Sequence, residues 1–316
     1  QIRQSIRMMG CRNFEDNTIS NEVCTFYRIA DFHIRFCYKE CGSDYNALLP
    51  SLNNFKCEAT NNVLLFSIII DDSSKPVSKE NRNRINVFDT GNGDIVVDEI
   101  IDGGYQFIIK DISNRSCCLL QADKNFSTFR CALNGNDLMR SFGLNNAFMI
   151  AFAFSSSFHE TLLIHASLVR HKGYGYAFTA KSGTGKSTHT GLWLRHIEGC
   201  DLMNDDNPII RIIDNMPYIY GSPWSGKTPC YRNIKAKLGA ITLIERSSEN
   251  SVEKLSPVEA FVKILPACSS MKWDKTIYRN TYNNVIKLIE CSDNNYILHC
   301  RPDKEAAIIC HQTIAQ

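Results

Sequence analysis

The stretch Ala177–Thr190, "AFTAKSGTGKSTHT", decides the fold of the second half of the chain, because a short apolar run meets a loop of small residues there. The run Tyr174–Thr179 predicts a strand, and "STHTGLWLRHI" (Ser187–Ile197) has helical character. Between them, "AKSGTGKST" (Ala180–Thr188) matches the pattern G-x-x-x-x-G-K-[ST] everywhere except at its first glycine, which is Ala180. The sequence therefore predicts a strand, a glycine-rich loop and a helix in direct succession.

This loop has the chemistry of a P-loop, which binds the phosphates of a nucleotide. Gly183 and Gly185 let consecutive backbone N–H groups point into one hollow, and the positive end of the following helix also attracts phosphate. We expect Lys186 to reach the β- and γ-phosphates of ATP, and the Ser187 hydroxyl to complete a Mg²⁺ shell. The predicted nucleotide-binding residues of the loop are Ser182, Gly183, Thr184, Gly185, Lys186, Ser187 and Thr188. The alternative is a glycine-rich turn with an exposed lysine, but the flanking strand and helix favour the phosphate site.

Two adjacent acids follow about twenty residues after the lysine, at the end of an apolar run, which is where Walker-B acids lie. In "MNDDN", Asp205 and Asp206 stand at the end of an apolar run, where a carboxylate can reach Mg²⁺. We expect one of them to bind the metal ion and the other to take the proton from an attacking hydroxyl. The alternative is a plain acidic turn, which would be the better interpretation without the P-loop.

Two further segments carry candidate residues. His165 lies in the apolar run "LLIHASLV", which predicts a strand (Leu162–Val169) just before the loop-bearing strand. It is either a core histidine or a residue facing the nucleotide. In "YGSPWSGKTPCYRN" (Tyr220–Asn233), the residues Trp224, Lys227 and Arg232 are candidates for phosphate or substrate contact, and the alternative is a hairpin exit with surface charges.

Composition and charge exclude several classes of function. The 316 residues carry a net charge of +2, so nothing indicates nucleic acid or an acidic membrane as a partner. No apolar run has the length of a membrane-spanning helix, and the first ten residues, "QIRQSIRMMG", lack the apolar core of a signal peptide.

The 14 cysteines favour a cytoplasmic protein with reduced, mostly buried thiols. The chain is too long and too rich in apolar periodic segments to be a small disulfide-bonded scaffold. Cys37 and Cys41 have no second Cys or His pair at zinc-site spacing, so a structural zinc site is not expected.

The pattern of the chain changes near "NGND" (Asn134–Asp137), which predicts two domains, residues 1–133 and 134–316. The first has short alternating runs between turns such as "DTGNGD" (Asp89–Asp94), which predicts an antiparallel β-rich domain of unknown role. It includes a polar segment, residues 71–84, that we expect to be a mobile loop. The second mixes strands and helices, beginning with a helix over Leu138–Phe154, which predicts an α/β domain around a mixed sheet.

The order of three motifs in the second half resembles the catalytic domain of HPr kinase/phosphorylase, a P-loop fold shared with ATP-dependent phosphoenolpyruvate carboxykinase. The motifs are "IHASLV", "GYAFTAKSGTGKST" and "LMNDDNP", and the segment "SPWSGK" resembles that of HPr-kinase-related proteins of unassigned substrate. The resemblance implies that Lys186 and Ser187 bind triphosphate and Mg²⁺, that Asp205 and Asp206 supply a metal ligand and a general base, and that His165 faces the transferred phosphoryl group. It also implies a homo-oligomer.

The resulting hypothesis is an ATP- and Mg²⁺-dependent kinase that transfers the γ-phosphoryl group to a hydroxyl. No segment matches the HPr-docking signature, so the acceptor is either a seryl residue of a protein or peptide, or a small molecule. One alternative is a nucleotide-binding sensor with little transferase activity. Another is a carboxykinase-like lyase.

Overall fold

The computed structural model describes residues 22–39 and 44–315. Within these ranges the chain is a mixed α/β protein with two mixed sheets, and strands predominate. The first ten residues and Cys41, on which two of the predictions depend, lie outside the described residues.

The first sheet contains nine strands. In chain order they are β1 (Glu22–Ile29), β2 (Phe32–Lys39), β3 (Lys56–Cys57), β4 (Leu64–Ile70), β5 (Arg82–Asp89), β6 (Asp94–Ile100), β7 (Tyr105–Lys110), β8 (Ser116–Ala122) and β9 (Thr128–Leu133). Across the sheet the order is β3-β1-β2-β4-β9-β8-β7-β6-β5. The predicted turns before Asp94 and at Asp102–Gly104 connect β5 to β6 and β6 to β7, and their glycines have positive φ.

The prediction of an antiparallel first half is wrong at two places. Strand β4 pairs in parallel with β2 on one side and with β9 on the other. Strands β5 to β8 form an antiparallel meander, and β9 then returns beside β4 in the same direction. Local turn signals show hairpins but not which distant strands become neighbours, and this is why the parallel pairs were not predicted.

The polar segment 71–84 is attached to the sheet, contrary to the expectation of a mobile loop. Arg82 and Arg84 begin β5, and both pair with the carboxylate of Asp98, which is fully buried in β6. Gln106 donates to the same carboxylate at 2.9 Å and accepts from the backbone N–H of Val77 at 2.9 Å. A buried carboxylate requires such partners, and they hold the polar segment against the sheet.

The first helix, α1 (Asp137–Ser156), covers one face of the first sheet. It begins where Asn136 accepts a hydrogen bond from the Met139 N–H at 3.1 Å, and it includes the predicted range Leu138–Phe154. Phe148 is fully buried, with aromatic partners in β1, β2 and β4. The helix thus forms part of the core of the first sheet.

The second sheet and its helices contain the predicted phosphate loop. Its strands are β10 (Thr161–Leu163), β11 (Ala166–His171), β12 (Tyr174–Thr179), β13 (Cys200–Asp206), β14 (Ile209–Ile213), β15 (Met216–Tyr220), β16 (Lys235–Arg246), β17 (Ser251–Lys254) and β18 (Asn295–Cys300). Its helices are α2 (Lys186–His196), α3 (Pro257–Ile264), α4 (Lys275–Cys291) and α5 (Lys304–Ile314). The order β10-β14-β15-β16-β12-β11-β13 places β12 and β11 near one end, and β18 pairs with β16.

One pair of cysteines departs from the expectation of reduced thiols. Cys24 and Cys37 stand directly opposite each other in the antiparallel pair β1/β2, with Cα atoms 4.3 Å apart, and form a disulfide. The other ten cysteines in the described ranges are free and buried or half-buried, as predicted. Within the same ranges, no helix is long and apolar enough to cross a membrane.

Candidate functional site

The three predicted motifs meet at one edge of the second sheet. Strand β11 runs antiparallel to both β12 and β13, so the start of β11 lies beside the ends of its neighbours. Ala166 pairs with Thr179, the last residue before the glycine-rich loop, and also with Asp206. His165, the loop and the acid pair therefore come together because of the strand directions alone.

The glycine-rich loop leads directly into α2. Gly183 and Gly185 have φ values of +76° and +130°, which a residue with a Cβ rarely adopts. Helix α2 begins at Lys186, and no side chain of the described residues caps its first turn. The N–H groups of that turn remain available as donors, and the positive end of the helix dipole lies at the loop. Nothing lies within 4 Å of a Cβ built on Gly183, so the space above the loop is open.

Asp205 is buried and is tied to the start of α2. Its Oδ1 accepts hydrogen bonds from Ser187 Oγ at 2.8 Å and from Ser167 Oγ at 2.7 Å. Its Oδ2 accepts from the backbone N–H of Thr228 at 3.3 Å, and the residue is 3% exposed. The hydroxyl predicted to bind Mg²⁺ and one of the two candidate metal-binding carboxylates are thus adjacent.

Asp206, His165 and Lys186 form a connected series. Asp206 Oδ1 lies 3.1 Å from His165 Nδ1, and the other ring nitrogen, Nε2, lies 2.7 Å from Lys186 Nζ. Because Lys186 donates to Nε2, the partners assign the ring proton to Nδ1, from which it is donated to Asp206. Burial lowers the pKa of Lys186, and the neighbouring charges of Asp206 and Asp205 act in the opposite direction.

The position of His165 corrects the predicted strand Leu162–Val169. The strand is interrupted between Leu163 and Ala166, and His165 lies in the break. Its backbone N–H donates to Ala267 O at 2.8 Å, and its carbonyl accepts from Thr179 Oγ1 at 3.0 Å. The contact with Ala267, in the segment before α4, replaces the ladder at this point, and the ring of His165 lies beside Asp206.

The segment around Lys227 approaches the acid pair, as its predicted role requires. The backbone N–H of Gly226 donates to Asp205 O. This close approach requires glycine, because a Cβ at position 226 would lie only 2.7 Å from the same oxygen. Lys227 itself is exposed, and it forms no ion pair with any described residue. Its neighbours thus fix the turn against the acids and leave its side chain free.

Trp224 and Arg232, predicted in the same segment, lie elsewhere. Trp224 is 2% exposed and packs against Phe152 of α1 at a ring distance of 5.4 Å, so it belongs to the core. Arg232 Nη1 pairs with Asp201 Oδ2 at 2.8 Å, at the start of β13 and therefore at the opposite end of the strand from Asp206. The structure does not bring either residue into contact with Lys186, His165 or the acids.

Arg246 is a site residue that was not predicted. It ends β16, which runs parallel to β12, so both strands end at the same edge. Its guanidinium donates to Gly183 O at 2.6 Å and to Thr184 O at 3.1 Å. In the sequence, Arg246 is a basic residue at the end of the apolar run "LIER". This pattern does not predict a contact with the loop unless the neighbouring strand is known.

No protein-family model matches this chain, and no curated protein is significantly similar to it in sequence.

Two clefts flank the loop and share Gly183, Thr184 and Arg246. One has a volume of about 890 Å³ and extends from His165 along Lys181 to Lys263 on α3. The other, about 500 Å³, lies on the side of Thr188 and is bounded by Arg301. Each is large enough for a small organic molecule, and the predicted phosphate position lies between them.

Proposed function

We propose that the protein is an ATP- and Mg²⁺-dependent kinase that transfers the γ-phosphoryl group to a hydroxyl. The observation that carries the proposal is the convergence of five side chains beside an uncapped helix N-terminus. They form two groups: His165 contacts Lys186 at 2.7 Å and Asp206 at 3.1 Å, and Ser187 contacts Asp205 at 2.8 Å. A glycine-rich turn on the surface needs neither two carboxylates nor a histidine at its edge.

The donor set suits a magnesium–triphosphate group. Mg²⁺ prefers oxygen ligands, and the Ser187 hydroxyl lies 2.8 Å from Asp205 Oδ1. These two residues would hold the ion, which when bound neutralises charge on the phosphate oxygens. The backbone N–H groups of Gly183, Gly185, Lys186 and Ser187 and the ammonium group of Lys186 would hold the phosphates. The N–H of Thr184 instead donates to Lys181 O at 3.1 Å and closes the turn.

The contacts support separate roles for the two acids. Asp205 is buried and accepts three hydrogen bonds, which suits a fixed metal ligand. Asp206 is more exposed and bonds to His165, so it suits the general base that accepts the proton of the acceptor hydroxyl. His165 orients that carboxylate by donating from Nδ1, and Lys186 provides the positive charge for the transferred group.

The finer fold assignment is part of the same proposal. The order of His165, the loop and the acid pair, on strands that share one edge, supports a catalytic domain of the HPr kinase type. The homo-oligomer and the cytoplasmic location implied or expected from the sequence remain predictions of this proposal.

An unbiased transfer assay tests the proposal. The protein is incubated with γ-labelled ATP and Mg²⁺, together with proteins of a cell lysate or with its small-molecule extract, and Asp206→Asn is the control. Label that appears on a protein or on a small molecule, and is absent with Asp206→Asn, supports the kinase and names the class of acceptor.

Each other outcome favours a different function. Binding of MgATP without transfer supports the sensor. Formation of phosphoenolpyruvate that depends on oxaloacetate supports the lyase. If calorimetry shows that MgATP does not bind at all, the proposal is wrong.

A further inference from the structure

A third cavity, whose lining includes no residue of the phosphate loop, lies between the two halves of the chain. It is a partly open cavity of about 290 Å³, lined by strands β5 to β7, by helix α1 and by the segment that precedes α4. Its walls include Phe88, Phe107, Ala153, Ser269 and Trp273. Its volume is close to the lower end of the range for small-molecule sites, which often occur where two parts of a protein meet.

The lining of this cavity indicates the chemistry of an occupant. No charged residue lines it, and the rings of Phe88 and Trp273 stack at 4.6 Å on one side. Two wall residues carry donors that bond to no described residue: Trp273 Nε1, which is buried, and the hydroxyl of Ser269, which is an exposed residue. An uncharged, largely apolar molecule with one hydrogen-bond acceptor fits these walls, whereas a phosphate or carboxylate would lack a cationic partner.

The wall segment is hydrogen-bonded to the strand break that contains His165. The Ser269 N–H donates to Leu163 O at 2.8 Å, and Cys268 pairs with Ile164 in a β-bridge. Ala267 accepts from the N–H of His165 and also lines the large cleft beside the phosphate loop. A displacement of this segment would therefore move the backbone of His165.

We propose that this cavity binds a small uncharged molecule, mostly apolar and with one hydrogen-bond acceptor, and that its occupancy changes the affinity of the phosphate loop for nucleotide. The first clause is independent of the proposed function, and the second rests on it. Coupling requires that the ligand binds with a different free energy before and after this segment moves. The hydrogen bond from the His165 N–H to Ala267 O is the contact through which such a movement would reach the phosphate loop.

Matched probes test the binding site. Acetophenone carries an acceptor and ethylbenzene has a similar size and shape without one. Both are titrated into the full-length chain, and the indole N–H signals of its three tryptophans are followed by NMR, with Trp273→Phe used to assign the signal. We expect a saturable shift of the Trp273 signal with both probes, and tighter binding of acetophenone.

Two variants localise the effect. Ala153→Leu places additional atoms in the cavity and should abolish both shifts, and circular dichroism verifies that the variant is folded. Ser269→Ala should weaken acetophenone about five-fold, the usual effect of one lost hydrogen bond, and should leave ethylbenzene unchanged. The proposed binding site is wrong if the Trp273 signal does not shift in water saturated with the probe. It is also wrong if the signal shifts equally in folded Ala153→Leu.

Calorimetry with MgADP, with and without saturating acetophenone, tests the coupling. A change of three-fold or more in the nucleotide affinity, absent in folded Ala153→Leu at the same acetophenone concentration, supports it. An unchanged affinity overturns the coupling alone. If MgADP does not bind in either condition, the proposed function and the coupling both fail, and the NMR result still decides the binding site.

Discussion

At the scale of single residues, the proposed chemistry depends first on Lys186. Its ammonium group lies 2.7 Å from His165 Nε2, beside the two acids. The Lys186→Ala substitution removes the charge that would contact the β- and γ-phosphates, so we expect the transfer rate to fall by about 10²–10³ or more. The measurement is the initial rate of γ-phosphate transfer, with the exposed Lys275→Ala as a control that retains the wild-type rate. A Lys186→Ala protein with the wild-type rate would show that the phosphate site is elsewhere.

The two neighbouring acids should respond differently to the same substitution. Asp205→Asn alters the carboxylate that contacts Ser187, so nucleotide binding should lose its dependence on Mg²⁺. Asp206→Asn should retain MgATP binding and lose about 10²–10⁴ in transfer rate, the range for a missing general base. Calorimetry with and without Mg²⁺, together with the rate assay, separates the two effects. If Asp206→Asn removed the dependence on Mg²⁺ and Asp205→Asn reduced only the transfer rate, the roles of the two residues would be exchanged.

At the scale of elements, the loop depends on strand β16 as well as on β12 and α2. Arg246 donates to two consecutive carbonyls of the loop, Gly183 O and Thr184 O, and so directs these oxygens away from the hollow. We expect Arg246→Ala to weaken MgADP binding by about five- to ten-fold, since charge-assisted hydrogen bonds to the loop are lost. Arg195→Ala is the control, because Arg195 is exposed on α2 and donates only within that helix. Equal affinities of the two variants for MgADP, measured by calorimetry, would contradict this role for Arg246.

The sequence predicted those parts of the site that are encoded by local spacing. The loop, the helix after it and the acid pair are each contained in a few consecutive residues, and the structure has each in the predicted element. The break at His165 was missed because its cause, the Ala267 carbonyl, lies about a hundred residues further along the chain. Arg246 was missed for a similar reason, since its neighbour across the sheet is set by strand order.

Helix α2 also carries a buried histidine that makes the packing of this element sensitive to acid. His189 is 3% exposed, its Nε2 accepts from Trp193 Nε1 at 3.0 Å, and its Nδ1 is buried and bonds to none of the described residues. Burial lowers the pKa of His189 from 6.5 to about 4. The unfolded chain therefore takes up a proton near pH 6.5, and the folded chain does so only near pH 4. Above pH 7 the contribution of His189 to the free energy of unfolding is constant. As the pH falls from 6.5 to 4, the free energy of unfolding decreases by on the order of 3 kcal/mol because of this residue.

The His189→Gln substitution tests this pH dependence, because glutamine can accept from Trp193 and does not titrate. We expect the free energy of unfolding, measured in urea between pH 7 and pH 4.5, to fall less steeply for His189→Gln than for the wild type. The exposed His196 lies on the same helix, and His196→Gln should leave the slope unchanged. Identical slopes for His189→Gln and the wild type would mean that His189 is not kept neutral by folding.

At the scale of the whole molecule, the two halves share one apolar core. A continuous cluster of buried residues runs from the first sheet through α1 to Tyr220, Trp224 and Ile277 in the second half. Hydrogen bonds also connect the two halves. Arg211 Nη1 donates to Ala30 O at 2.9 Å, and Tyr220 OH donates to Asp31 Oδ2 at 2.8 Å. Burial on this scale makes separate unfolding of the halves unfavourable, because each would expose apolar surface that the other now covers.

A core substitution in the first half should therefore be detected in the second. Phe36 is fully buried in β2 and packs edge-on against Phe148 of α1 at 5.4 Å. Phe36→Ala should lower the free energy of unfolding by about 3–5 kcal/mol. Of the three tryptophans, at positions 193, 224 and 273, only Trp193 has all its ring contacts within the second half, with Tyr176, Phe178, His189 and His311. Every protein compared therefore carries Trp224→Phe and Trp273→Phe, so that the remaining tryptophan fluorescence reports the second half. We expect the urea midpoint from tryptophan fluorescence to fall together with the midpoint from far-ultraviolet circular dichroism, and Val63→Ala, at a position 92% exposed, to change neither. A fluorescence midpoint that stays at the wild-type value, while circular dichroism shows an earlier loss of structure, would mean that the halves unfold independently.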